Sequence, residues 1–515
     1  MIFIRRRGGS DGGCDLALCK DCADSRGITA REGNIELNID ELIGSAQEGA
    51  VGRIEQTSCP SCGLDVATLR REGHLGCLAC ADAFPAEIAK ILGPETARSA
   101  ESETSPNKER FDAGLAASLR LELGAALRAE AYEEAARLRD ELTAAEAGGV
   151  SPKLRPPGTQ DGTEGESILL SPLAFASSEG PEDDVVLLSS ARVYRNVAAI
   201  PFPRSPRAPS HPSRLFLAET ILSLGGWSSV RVSELGPASR RSLSERGLAP
   251  RHYVAEDEAL VLLSRDGSTF ALLDEIDHLR IRSTAAGLQP ELVYSAAAGR
   301  AELIGEAVDF ARRPGIGWIC SRLSDCGIGA SLSATVHIPA LTATGLRDRL
   351  FRSLLSEGIS LRGFYSASED SSGSVYEILL DGAGRGPLDH MIHVFSSTLA
   401  RVVAAERRAR EGIAARGGEN LRDAEGRALG VARYCALLGA DEAASLLSAL
   451  RLASLRGALR GADHRLLGSL LLSLGQGSIA VSAGLREIPA AVDAVRAASI
   501  KSALSDADYR FEEGQ

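Results

Sequence analysis

The chain has 515 residues, 44% of them hydrophobic, 24% charged and 4% aromatic, with a net charge of −12. One hydrophobic core stops growing near roughly 250–300 residues, so a single-domain protein is excluded. The acidic balance offers no general surface for nucleic acid or an anionic membrane, and any phosphate chemistry must rest on local arginines.

The N-terminal segment MIFIRRRGGSDGG has basic residues with no apolar stretch after them. No apolar run approaches the roughly 18–20 residues of a membrane span, so the expectation is a cytoplasmic chain. Seven of the ten cysteines fall in the first 80 residues. Within them CPSCGLDVATLRREGHLGCLAC sets Cys59, Cys62, Cys77 and Cys80 as C-x2-C-x14-C-x2-C. Two CxxC knuckles supply four thiolates to one tetrahedral zinc and leave no coordination position for water, so the implied site is structural. His74 is read as a surface residue, since four cysteines suffice. A second pair, Cys19 and Cys22, follows Cys14. Either Cys14 and a further group complete a second zinc site there, or the pair is a remnant half-site.

Residues 1–95 therefore form a zinc-knuckle module. In 107–146 the apolar positions Leu115, Leu119, Leu123 and Leu127, then Tyr132, Ala135, Ala136 and Leu138–Leu142, recur at helical spacing on both sides of Ala129–Ala131. That pattern predicts a helical hairpin. Residues 147–178, rich in Gly, Pro, Ser and Thr, read as a flexible linker. From 179 to 405 short β-like runs (DVVLLSS, ALVLLS, TFALLDE, SLSATVHI, SVYEILL) alternate with helical segments such as Ala301–Arg312 and Gly345–Glu357, which predicts an α+β domain. From 406 to 515 the pattern is helical almost throughout, with glycines as stops.

Several of these segments resemble known families. CPSCGLDVATLRREGHLGCLACADAF is similar to the second zinc knuckle of the bacterial protein-arginine kinase activator, LALCKDCA to the closing half of its first, and AEAYEEAARLRDEL to the UvrB/UvrC-type hairpin that ends it. The CxxC that normally precedes the first knuckle is absent. From residue 179 onward the blocks GPEDDVVLLSSARVYRNVAAIPFP, LLDEIDHLRI, GWICSRLSDCGIGASLSATVHIPAL, RGFYSASEDSSGSVYEI and EGRALGVARYCALLGADEAASLLSALRL follow in the order found in protein-arginine kinases, members of the phosphagen (guanidino) kinase superfamily. The resemblance implies a multidomain α+β protein. It would carry zinc knuckles and a hairpin, then a phosphagen-kinase-like antiparallel sheet flanked by helices, then an all-α C-terminal domain.

The family moves a phosphoryl group from ATP to a guanidinium, so it needs cations to clamp the phosphates and carboxylates to hold the guanidinium and take its proton. In the block written SSRxRxxRN two arginines contact phosphate; this chain has Ser190 and Arg192 there. In the NEEDHLR block Arg280 is kept and Ile276 stands at the second glutamate. In CPTNxGTGLRAS, Arg322 takes the reactive cysteine's position and Ser331 that of a phosphate arginine, while Cys320 and Cys326 are out of register. In RGLYGEG, Arg362 is kept and Ala367 replaces the glutamate.

No catalytic position is therefore intact. Each lost electrostatic contact commonly costs roughly 10²–10³ in rate. The retained Arg192, Arg280 and Arg362 are either a weakened nucleotide site or ordinary salt-bridge arginines, and Glu275 or Glu369 is a candidate out-of-register replacement for a lost acid. His278 and His337 read as structural residues of the sheet. The family's C-terminal domain reads phosphoarginine through RDxxRA; here Val492, Asp493 and Arg496 stand in that motif, either as a reader site or as an i,i+3 ion pair.

The function this implies is an activator–kinase fusion acting as a catalytically degenerate adaptor in protein-arginine phosphorylation and protein quality control. An active ATP-dependent protein-arginine kinase and a phosphoarginine reader without catalysis are the alternatives. The expected cofactor is zinc, with ATP and magnesium left open. The expected partners are a protein-arginine kinase, or chaperone–protease components with their substrates and repressors. A homodimer is also left open; no nucleic acid or membrane partner is expected.

Overall fold

A computed structural model describes four short strands before residue 58, and then residues 58–90, 92, 108–128, 130–146, 178–208, 213–264, 267–364, 371–382, 386–416 and 418–510. Cys14, Cys19, Cys22, Ala367, Glu369 and almost all of the linker fall outside these residues. The chain divides into two compact units, Met1–Ser58 and Cys59–Gln515. In the first, Ile2–Arg5 pairs antiparallel with Asp15–Leu18 and Ile28–Arg31 with Asn34–Leu37.

The second unit is organised by an eight-stranded sheet. Its strands in chain order are β1 (Val186–Arg195), β2 (Trp227–Arg231), β3 (Leu260–Ser264), β4 (Thr269–Leu273), β5 (Leu279–Ala286), β6 (Ala330–His337), β7 (Ser360–Gly363) and β8 (Val375–Asp381). They lie side by side as β7-β8-β6-β1-β5-β4-β3-β2, and every pairing is antiparallel. Five of them coincide with the β-like runs of the sequence. The segment LRIRSTAA, which becomes β5 beside the central strand, was not among those runs.

Successive side chains of a strand point to opposite faces. On one face Ala191, Val193, Ile281, Leu332, Ala334 and Ile378 are buried in the main core. That core is closed by two helices, Pro290–Gly305 and Leu388–Arg416, through Val293, Ala297, Ile304, Phe395, Leu399 and Val402. The first of these begins earlier than the expected Ala301 because Pro290 occupies its first turn, where a missing N–H costs nothing. The second runs unbroken past residue 406, so the expected boundary between the sheet domain and the helical domain falls inside a helix.

Two helices, Lys108–Arg128 and Tyr132–Glu146, close on each other through Leu119, Ala126, Ala135 and Leu138. The first of them packs against helix Pro290–Gly305, where Arg300 donates to Glu122 at 2.5 Å and lies over the Trp227 ring. The C-terminal helices, including Gly418–Tyr434, Ala440–Leu455 and Val492–Ala503, surround a second core that takes in Leu187, Leu188 and Val375 of the sheet.

Arg451 fastens this helical region to the sheet. Fully buried, it donates to the carbonyls of Asp183 (2.6 Å), Asp184 (2.9 Å) and His464 (3.0 Å), and to His337 Nδ1 (2.8 Å). Because Nδ1 accepts, the His337 proton sits on Nε2, which donates to Ser448 Oγ at 2.8 Å. Burial, reinforced by Arg451 and Arg410, holds His337 neutral. Replacing Arg451 by Met leaves several buried acceptors without a donor, at roughly 1–3 kcal/mol for each. Urea unfolding of Arg451→Met should show a loss of about 3 kcal/mol or more, and an unchanged midpoint would contradict this role.

Candidate functional site

Directly opposed residues of an antiparallel pair share a face. Opposite the core, Arg192 stands across from Arg282 on one side and Ser331 on the other, and Tyr194 across from Arg280. Ser190 faces Thr284 and Ser333, and Glu377 faces Thr335 and Arg362. The second face of the sheet is thus a polar floor with four arginines on three strands.

Glu377 ties two of them together. Its carboxylate accepts from Arg192 Nη2 at 2.9 Å, and from Arg362 Nε at 2.8 Å and Nη2 at 2.5 Å. Arg192 also donates to Ser333 Oγ at 3.2 Å. Burial would raise the Glu377 pKa, but Arg192, Arg362 and Arg282 outweigh it and hold the carboxyl far below its ordinary value. Arg280 pairs separately with Glu275 at 3.0 Å, and Glu275 is also 3.2 Å from His252 Nε2. The three arginines taken from the sequence therefore lie on one face, Arg192 and Arg362 sharing Glu377 and Arg280 paired with Glu275. Glu377 and Arg282 were missed by sequence reasoning; the signal available was the alternation of charged with apolar residues in LRIR and VYEIL.

The turn between β4 and β5 is fixed by its acids. Asp274 accepts from Ser213 Oγ (2.6 Å) and Ser213 N–H (3.2 Å), and Asp277 from Asn196 Nδ2 and Ser321 N–H, both at 2.6 Å. Ile276, between them, supplies no acid. His278 accepts from Val197 N–H through Nδ1 (3.0 Å) and so donates from Nε2 to the Pro201 carbonyl (3.1 Å). In the loop before β6, Arg322 pairs with the buried Asp325 at 2.8 Å, and burial pushes Asp325 up to about 7 against the pull of Arg322. Ser331 hydrogen-bonds the Tyr194 hydroxyl at 2.9 Å, and Cys320 and Cys326, in the same loop as Arg322, are fully buried.

Cys59, Cys62, Cys77 and Cys80 converge, with their Sγ atoms within 4.8 Å of one another. Neighbouring separations of 3.4, 3.6 and 3.8 Å compare with about 3.8 Å between sulfurs in a tetrahedral Zn–S₄ site with bonds near 2.3 Å. The chemistry of the donors and their spacing fit zinc, which would supply only cross-linking there. Helix Val66–Glu72, capped by Asp65 on Thr68 N–H, spaces the knuckles. Gly76 is required between them, because a Cβ at that position would stand 2.7 Å from Cys62 Sγ. His74 is not part of the cluster.

This module is packed onto the loop that carries Arg322. Leu75 N–H donates to Ser321 O (2.6 Å), Leu323 N–H to Gly73 O (3.0 Å) and Phe202 N–H to Gly76 O (2.8 Å). Leu69, Leu75 and Phe84 share one core with Tyr194, Phe202, Ile319 and Leu323. Arg207 donates to Ser61 O at 2.9 Å, and Arg313 pairs with Asp82 at 2.7 Å.

In the C-terminal domain Arg496 is buried, donating to the carbonyls of Leu438 (2.6 Å) and Leu474 (3.0 Å) as well as to Asp493 (2.5 Å). Its donors are largely committed to backbone, whereas Asp493 remains half exposed.

Two measurements check this geometry. Cys62→Ser and Gly76→Ala should each release zinc, read by native mass spectrometry, and expose residues 318–326 to faster amide exchange; retained zinc in Cys62→Ser would contradict the assignment. Burial lowers the His278 pKa to about 4, with Asp274 opposing. The folded state therefore binds fewer protons than the unfolded chain, whose His titrates near 6.5. The stability from neutral His278 is present above about 6.5 and is lost as pH falls toward 4. The fall in urea midpoint over that window should be shallower in His278→Gln than in the parent.

Two family models match the chain: ATP:guanido phosphotransferase, C-terminal catalytic domain, over residues 221–380, and Protein-arginine kinase McsB C-terminal domain, over residues 418–514. A protein-arginine kinase of Moorella thermoacetica is 28% identical over 323 residues, covering 61% of this chain and 92% of that protein. One from an Exiguobacterium species is 29% identical over 287 residues, covering 55% and 82%. Among solved structures, the duplicated taurocyamine kinase of Schistosoma mansoni aligns with a TM-score of 0.38 at 20% identity, over 54% of this chain and 40% of that one. The sequence matches support the protein-arginine kinase family for the part of the chain that follows the four-cysteine module and the helix pair.

Proposed function

We propose that this chain is a kinase-derived adaptor: a protein-arginine-kinase-like scaffold that does not transfer phosphate, carrying its own activator-like zinc module in cis. The observation that carries the reading is the closure of the retained clamp on itself. Arg192 and Arg362 are bound to Glu377 and Arg280 to Glu275, while the turn that would present an acid to a substrate guanidinium presents Ile276. Transfer to a guanidinium needs a free cationic clamp and a free carboxylate together. The described residues offer an occupied clamp and acids already engaged.

The resemblance of the zinc module and the helix pair to the kinase activator supports docking as the chain's role, with zinc as a structural cofactor and a cytoplasmic setting. The partner class is an authentic protein-arginine kinase, or the chaperone–protease components and repressors acting with it. Asp493 and Arg496 serve the C-terminal core in this reading, since the Arg496 guanidinium is spent on carbonyls.

The test is incubation of the zinc-loaded chain with Mg-ATP and an arginine-containing casein-like substrate, followed by detection of acid-labile phosphate. No phosphoarginine above background is expected. Clear phosphoarginine formation that disappears in Arg280→Ala would overturn the reading in favour of an active kinase.

A further inference from the structure

The cysteine cluster takes part of its surroundings from outside its own module. Gly76 N–H donates to Cys80 Sγ at 3.4 Å. The peptides on either side of that N–H are held by the kinase-like domain: Leu75 N–H donates to Ser321 O at 2.6 Å, and Gly76 O accepts from Phe202 N–H at 2.8 Å. Ser205, 8% exposed, packs on the same glycine, since a Cβ there would stand 3.2 Å from its Oγ and 2.7 Å from Cys62 Sγ. At the first knuckle Arg207 lies over Gly63, where a Cβ would stand 3.1 Å from its Nε, and it donates to Ser61 O at 2.9 Å. A trans peptide directs its C=O and N–H to opposite sides, so the Cys62 N–H points away from Arg207 and is polarised by it.

Four thiolates around one divalent ion carry net negative charge, and because these four are buried they need donors and dipoles directed at them. Groups that hold such donors form an outer shell, and losing one typically costs about 10–100-fold in metal affinity. The apolar packing runs the same way. Residues 59–92 fall below the roughly 40 residues at which a chain begins to close a core without a metal, a disulfide or a partner. Leu69, Leu75, Phe84 and Ile88 are buried in one cluster with Tyr194, Phe202, Ile319 and Leu323 of the kinase-like domain. For a segment of this kind the energy of metal binding is also folding energy, so ordering the knuckles and docking them are parts of one event.

We infer that residues 202–207 and 321–323 of the kinase-like domain are the outer shell of the cysteine site, so that zinc affinity and docking of the module in cis form one coupled equilibrium. The inference rests on reading the cluster as a zinc site and is independent of whether the chain transfers phosphate. Phe202 and Ser321 aim the Gly76 peptide, Leu323 completes the shared core, and Arg207 is a positioning residue that acts on the metal through the first knuckle. Linkage makes the coupling reciprocal: the factor by which undocking weakens zinc binding is the factor by which zinc loss weakens docking. The module is thereby a latch on the loop before β6 that responds to free zinc.

The experiment is competition for Zn²⁺ between the full chain and a chromophoric chelator, with the parent, Arg207→Gln, Arg207→Lys, Leu323→Ala and Arg451→Met, each checked by circular dichroism to be folded. Arg207→Gln and Leu323→Ala should each bind Zn²⁺ roughly tenfold more weakly than the parent. Arg207→Lys should recover most of the loss, because it returns a charged donor to the knuckle carbonyl. Arg451→Met, destabilised at contacts that do not include the module, should keep the parent's affinity. Stripping zinc from the parent should speed amide exchange of residues 202–208. Equal affinities in the parent, Arg207→Gln and Leu323→Ala, the same loss in Arg451→Met, or unchanged exchange on stripping would overturn the inference and leave the zinc assignment in place. No recovery in Arg207→Lys would overturn the part given to its charge. A parent chain that binds no Zn²⁺ would overturn the zinc assignment and this inference together, with the adaptor reading still judged by the phosphoarginine assay.

Discussion

Antiparallel pairing of β1 with β5 and β6 is the constraint on which everything else rests. Because side chains alternate across a strand, one registration places Ala191, Val193 and Ile281 in the core and Arg192, Arg280 and Arg282 on the opposite face. A slip of one residue would drive three guanidiniums into the apolar layer, so the hydrophobic core fixes the register and the register assembles the site. The same economy explains why a charged cluster survives at the centre of a sheet. Its electrostatic cost is borne by a core on the other side that tolerates only one arrangement.

The four-cysteine module belongs to this architecture through the loop before β6. That loop has no regular structure beyond a 3₁₀ turn at Leu323–Asp325 and short bridges, and a loop of this kind is ordinarily the least stable part of a domain. Here its backbone is paired with residues 73–75, its side chains share a core with the module, and Asp277 holds it from the other side. A metal cross-link between Cys59, Cys62, Cys77 and Cys80 would therefore stiffen residues of the kinase-like domain that lie more than two hundred positions further along the chain. Arg322, standing where the resemblance puts a reactive cysteine, is held by Asp325 and by this docking.

Much of the fold was legible because local patterns and burial agree. Runs such as DVVLLSS and SLSATVHI became central strands, and the Gly-punctuated helical segments of the C-terminal third became its helices. LRIRSTAA was not read as a strand, since two arginines and a polar pair obscure the apolar alternation that only a two-faced central position makes sense of. The same two arginines made the site partly invisible. Arg280 was found through its block, whereas Arg282 is tied to Ser190 on the adjoining strand and was missed. Glu377 likewise looks like one acid among many until Arg192 and Arg362 close on it from strands on either side. Arg496 reads in sequence as a ligand candidate, but its carbonyl partners at Leu438 and Leu474 come from segments brought near by helix packing.

The sequence by itself determined the four-cysteine spacing and most of the strands, because these are matters of local pattern and of separation along the chain. Only the tertiary structure decided which charges neutralise one another and that the cysteine module leans on the loop before β6. Those depend on contacts between residues far apart in sequence, and a pairing energy of this kind is set by distance and burial, neither of which the order of residues records.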